Sequence, residues 1–172
     1  GFHLDASTYG GSFHSSGQSL SMSTNVGKLG LFGSAARQVT DMRREPVAYD
    51  TLTFAPINVH NHGEDLFTFG KVSFKPTAAD LLNLDLNWSR TRFDVPFNPA
   101  VTGAFDDRQQ DVNSFANLGW RHEFDATSTR PSELFVGGFF RHGSLHYTPG
   151  AGDSAQFVFY PDTVPYNLRE RR

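Results

Sequence analysis

The stretch LLNLDLNWSR, residues 81–90, puts Leu82, Leu84, Leu86 and Trp88 on one parity and Asn83, Asp85, Asn87 and Ser89 on the other. Successive side chains of a β-strand point to opposite faces, so this alternation predicts a strand with one apolar and one polar face. The same period of two recurs along the chain and predicts about seven strands, at 2–9, 13–25, 28–39, 64–75, 81–93, 111–124 and 133–148. Runs of about ten or more residues exceed the five or six usual in soluble sheets and match a tilted strand that crosses a bilayer.

The joints between these strands sort into two kinds. Residues 25–28, 76–80 and 125–131 form short connections, whereas 40–62, 94–110 and 149 onward are long and irregular. In an up-and-down sheet alternate joints lie at opposite ends, so one end is trimmed and the other elaborated. Short periplasmic turns and longer extracellular loops give outer-membrane barrels this asymmetry. The joint Gly10-Gly11-Ser12 is the exception, short although parity puts it at the elaborated end. Rising and falling strands then place Trp88 near the outer boundary of an apolar belt and Trp120 with Phe124 near the inner one, as an aromatic girdle requires. Asn83, Asp85, Asn87, Asn113, Asn117 and Arg121 take the opposite, wet side. Arg37 and Arg90 fall on the apolar parity late in rising strands, where they must stand above the hydrocarbon.

Composition supports the all-β reading. Aromatic residues make up 14% of the chain, with 17 Phe against 2 Met, a skew toward strand formers. A net charge of −3 supplies no basic footprint and so excludes nucleic acid as a partner, and the absence of cysteine excludes disulfides and thiolate metal sites. No run approaches the ~18 apolar residues of a spanning helix, and a negative mean hydropathy is compatible with strands that are apolar on one face only.

Several stretches resemble the TonB-dependent outer-membrane receptors. Tyr9-Gly10-Gly11-Ser12-Phe13 is similar to the Gly-Ser-Phe corner near the first hairpin of their barrel. GKLGLFGSAARQVTDMRRE resembles the next rising strand and its exit. HNHGEDLFTFGKVSFKPTAADLLNLDLNWSRTRFDVP is similar to a loop, a descending strand, a periplasmic turn and a rising strand, and FANLGWRHEF and LFVGGFFRHGSLHYTP continue in that style. The resemblance implies antiparallel up-and-down transmembrane strands, about seven of a 22-stranded barrel with a plugged lumen. It implies that residues 1–172 are a partial barrel domain without its plug, placed in the outer membrane of a Gram-negative bacterium among its lipids. The TonB complex would act through that plug. The implied function is capture and import of a scarce nutrient, namely siderophore-bound iron, cobalamin or a glycan, with no cofactor. The chain opens at Gly1 without an initiator Met and stops at Arg172 without a terminal aromatic residue, so both ends read as cut. The competing expectation is a soluble β-sandwich that binds carbohydrate, in which the Leu82 to Trp88 face packs on a second sheet.

No catalytic signature is present, neither a Gly-x-Ser-x-Gly elbow, a His-Glu-x-x-His helix nor a Walker loop, and the expectation is a protein that is not an enzyme. The ligand-binding candidates gather at the elaborated, extracellular rim. His60 and His62 in HNHGED stand beside Glu64 and Asp65, a mixture of imidazole and carboxylate suited to capturing a metal chelate. Asp106, Asp107 and Arg108 in FDDRQQD, with Arg92 and Tyr147, complete the predicted rim. A solvated polar loop is the plainer account of each cluster.

Overall fold

The computed structural model describes residues 1–41, 62–95, 107–124 and 132–148, with the backbone of 157–159, 162–164 and 169–171. Seven long strands, β1 (Phe2–Gly10), β2 (Ser16–Val26), β3 (Leu29–Thr40), β4 (Gly63–Phe74), β5 (Asp80–Asp94), β6 (Arg108–Phe124) and β7 (Ser132–Thr148), pair in sequence order, all antiparallel. A short hairpin, β8 (Phe157–Phe159) with β9 (Asp162–Val164), forms a separate sheet, and β10 (Arg169–Arg171) pairs with the end of β7 through Arg169 opposite His146. The result is an open meander: β1 lies at one edge, and β10 covers only a few residues of the other.

Most strands begin and end within two residues of the positions that alternation predicts, because period two is a local property. The β1–β2 joint differs. Phe13 and His14, expected inside a strand, adopt left-handed backbone at φ 57° and 51°, so β2 starts only at Ser16. Such angles cost a residue with a Cβ about 1–2 kcal/mol each, and neighbouring contacts hold them. The Gly11 amide donates to the Ser15 carbonyl at 2.7 Å, the Ser15 amide to Ser12 at 3.1 Å, and the Asp41 amide to Phe13 at 3.0 Å. The short joint at the elaborated end is thus folded onto the exit of β3.

At the trimmed end, Val26 and Leu29 face each other across a two-residue turn with Gly27 at φ 59°. Only glycine takes that angle freely at the first central position of a tight hairpin. Residues 75–79 join β4 to β5, and Thr77 Oγ1 accepts the Asp80 amide at 3.1 Å. The 125–131 joint lies outside the described residues.

Register turns the alternation of each strand into rows that run across the sheet. Val26, Leu29, Phe74, Leu82, Trp120 and Val136 are successive cross-strand partners, and so are Leu4, Met22, Gly33, Gly70, Leu86, Ala116 and Phe140. One face is therefore apolar as a whole. Among the described residues no hydrophobic side chain is buried, and Phe2, Leu4, Val26, Leu118, Val136 and Phe140 each expose more than half of their surface. The second sheet that a sandwich would lay on Leu82 to Trp88 is absent from the described residues.

The opposite face carries a polar lattice. Ser73 donates to Asn83 at 2.7 Å, Asn117 donates to Asp85 at 3.2 Å, and Lys71 lies 3.6 Å from Asp85. Aromatic rings interrupt it. Phe32 and Phe69 meet at 5.9 Å, Phe115 and Phe139 at 6.2 Å, and Phe139 is 77% exposed. The polar parity is thus less uniformly wet than the asparagines of β5 and β6 suggest.

Candidate functional site

The predicted rim stands at the upper end of the sheet, where the long joints leave and return. His60 and Asp106 lie outside the described residues. His62 immediately precedes β4, and its Nδ1 is 2.7 Å from Asp41 Oδ1, while His14 Nδ1 is 2.7 Å from Asp41 Oδ2. One carboxylate therefore ties the β1–β2 turn, the exit of β3 and the entry of β4 together. The hydrogen bond from His62 is the largest influence on the Asp41 carboxyl and holds it below its ordinary value; desolvation opposes this, and the bond from His14 and the charge of both imidazoles reinforce it. His14 and Asp41 are not among the sequence candidates, and no local pattern marks them. They meet His62 only through strand pairing.

The neighbours that HNHGED supplies to His62 separate in the structure. Glu64 lies on the apolar parity and Asp65 on the polar one, as their partners Arg92 and Thr91 show. Among the described residues no three His, Asp or Glu side chains are grouped to hold a metal ion.

Three of the predicted rim residues do come together. His62, Arg92 and Arg108 line a cleft of 280 Å³ with Glu64, Phe93, Asp94 and Gln109. Asp94 organises it: its amide donates to the His62 carbonyl at 2.9 Å, its Oδ2 accepts the His62 amide at 3.3 Å, and its Oδ1 lies 3.5 Å from Arg108 Nε. Asp107 and Tyr147 stand apart from this cleft. The Tyr147 hydroxyl donates to Asp107 Oδ2, the Asp107 carbonyl accepts the Val95 amide at 2.8 Å, and Asp107 is 6% exposed. Their geometry closes the base of the 95–107 connection.

Parity divides the rim further. Arg92 and Arg108 share the parity of Leu82 and Trp88, whereas Gln109 and Tyr147 share that of Asn83 and Asn117. A second cleft of 370 Å³ lies toward the polar parity near the upper end of β7, lined by Asp111, Asn113, Arg141, Gly143, Ser144 and Leu145. Its lining combines an acid, Asp111, a base, Arg141, and the Asn113 amide.

The apolar rows end differently above and below. Above, Arg37 Nε donates to Glu64 Oε1 at 2.8 Å and an Arg90 terminal nitrogen approaches Glu64 Oε2 at 3.3 Å, while Arg92 is the cross-strand partner of Glu64. Below, Asp80 Oδ1 accepts the Trp120 indole N–H at 3.0 Å and lies 2.8 Å from His122 Nδ1. The His122 ring meets Phe124 edge-on at 4.5 Å. No family model, curated protein or solved structure matches the chain.

Proposed function

We propose that the chain is a segment of an outer-membrane receptor of the TonB-dependent type, contributing its strands to a larger barrel of about 22 strands. In this reading the barrel captures a scarce nutrient at the upper rim and passes it along the polar face. Siderophore-bound iron, cobalamin and a glycan all suit that surface, and the energy for transport comes through a plug domain engaged by the TonB complex.

One observation carries the reading: a continuous apolar face, exposed across seven strands, with no described layer against it. Soluble monomers rarely leave a contiguous apolar patch larger than a few hundred Å², and lipid is the solvent in which such a face costs nothing. The spacing supports it. Ten residue steps separate Asp80 from Arg90 along β5, and at ~3.3 Å per step with a tilt of about 40° this spans about 25 Å of membrane thickness, the height of an outer-membrane apolar band. Trp120 at the lower edge, apolar in body and hydrogen-bonded at its tip, suits an interfacial position.

Two experiments test the proposal. Spin labels on single cysteines from 83 to 88, placed in the full-length gene product in vesicles, should alternate. Even positions should be accessible to oxygen and odd ones to a water-soluble nickel chelate; a uniform or inverted pattern removes the membrane orientation. Deleting the gene in its native host should impair growth when iron, cobalamin or a glycan is limiting. Unimpaired growth in all three media removes the import function.

A further inference from the structure

We infer that Arg37, Arg90 and Arg92 form a binding site for the phosphate monoester headgroup of a membrane lipid, on the outward face of the sheet just above the apolar rows. The inference rests on the membrane reading proposed above and adds a specific occupant to one patch of that face.

The patch is assembled from three neighbouring strands. Arg37 of β3 and Arg90 of β5 flank Leu66 of β4 in one row, and Glu64 pairs with Arg92 in the next row up. Two strand spacings put the Arg37 and Arg90 backbones about 10 Å apart, yet both guanidinium groups turn inward to the same Glu64 carboxylate. Among the described residues three guanidinium groups thus share one carboxylate, a surplus of two positive charges over Glu64. Glu64 acts as a brace that keeps Arg37 and Arg90 converging instead of splaying apart.

Among the described residues the donors exceed the acceptors that meet them. Arg90 Nε is buried and finds no hydrogen-bond partner among the described residues, while the side chain as a whole remains 31% exposed, so a headgroup would meet its other atoms. Arg92 has no ion pair among the described residues, and Arg37 is 49% exposed. A phosphate monoester carries close to two negative charges at neutral pH and offers three acceptor oxygens, which matches the surplus charge and the forked donors. Arginine, not lysine, stands at all three positions, as planar, bidentate recognition of phosphate favours.

Position selects a lipid as the source of that phosphate. The rows directly beneath hold Trp88, Leu86 and Leu84 on β5 and Leu20 and Met22 on β2, all on the same face. A headgroup on the arginines would therefore lay its acyl chains along those side chains. At the lower edge Asp80 accepts from Trp120, and the exposed cations Lys28 and Lys75 continue the polar parity and offer point charges without forked donors. No arginine stands on the apolar parity at that edge among the described residues, so the preference is expected at the upper leaflet.

The full-length gene product, purified in neutral detergent and offered equal amounts of phosphatidic acid and phosphatidylcholine, tests the inference by native mass spectrometry. The expected result is at least about ten-fold preferential retention of phosphatidic acid, equivalent to ~1.4 kcal/mol. Replacing all three arginines with glutamine should reduce the preference to below about two-fold. Arg92→Gln alone leaves the Arg37–Glu64–Arg90 bridge in place and should lower it about three-fold, while Arg121→Gln/Arg141→Gln on the polar face should leave it unchanged. Equal retention by the triple variant, or no preference in the parent, overturns the inference. If ten millimolar inorganic phosphate abolishes retention, the site reads a free anion and the lipid assignment falls. A spin-label pattern that places Leu86 in lipid, combined with no phosphatidic acid preference, would reject this site and leave the receptor reading standing. An inverted pattern would reject both.

Discussion

The two ends of the sheet bound the same apolar rows but are built by different means. At the lower end the joints are short, Gly27 turns the chain in two residues, and one acid, Asp80, gathers Trp120 and His122 into an aromatic edge. At the upper end the joints are long, one acid, Asp41, ties two histidines from separate joints, and another, Glu64, gathers arginines. An acid is the organiser at both ends. At the lower end it fixes rings whose tips are polar, and at the upper end it concentrates positive charge in excess of its own among the described residues. The lower end closes the chain, whereas the upper end, on the proposed reading, holds groups ready for ligands and headgroups.

The largest expected effect lies between the ends. Leu84→Arg puts a cation in the middle of the apolar rows and should destabilise the full-length protein in vesicles by about 3 kcal/mol in urea titrations, while Asn83→Arg, one residue away on the polar face, should cost less than about 0.5 kcal/mol. Equal costs would mean that the ends do not bound a lipid-facing belt.

A smaller effect is expected at the lower end. Gly27→Val forces a β-branched residue into left-handed backbone and should cost ~1–2 kcal/mol in the same titration. No loss of stability would show that the turn relaxes without penalty and that the trimmed end is less constrained than its geometry implies.

The smallest effect is a pH dependence at the upper end. The Asp41 carboxyl is held below its ordinary value of 3.8 by His62 and His14. A group with a depressed folded-state pKa stabilises the fold fully above its unfolded value and loses that contribution as pH falls through the folded one. The histidine ring resonances of His14 and His62 should therefore change together as the pH passes below 3.8, and Asp41→Asn should abolish the shared step. Independent behaviour of the two rings in the parent protein would dissolve the link between the β1–β2 turn and the entry of β4.

Much of this architecture is legible in the chain, and particular residues show where legibility stops. The bounds of β4 and β5 follow from alternation to within a residue, and parity alone assigns Arg37 and Arg90 to the apolar face. Alternation also places Phe13 and His14 in a strand, wrongly, because nothing local distinguishes them; their left-handed backbone is held by Asp41, far along the chain at the exit of β3. His62, Arg92 and Arg108 belong to one rim in the sequence and share one cleft in the structure, yet Asp107 and Tyr147, assigned with them, bond to each other outside it. Phe69, Phe115 and Phe139 are hidden from a reading of the polar face by the asparagines that dominate its pattern.

The sequence by itself determined that this chain is built of long antiparallel strands with one apolar face each, because side-chain alternation and turn chemistry act over a few residues. Tertiary structure alone decided which strands' rows align and which distant acids and bases meet. Pairing of β3 with β4 and of β4 with β5 brings Arg37, Glu64 and Arg90 to one point. Register is a long-range choice: a slip of one residue would send every side chain to the other face, and only the assembled sheet selects the pairing that keeps each apolar row whole.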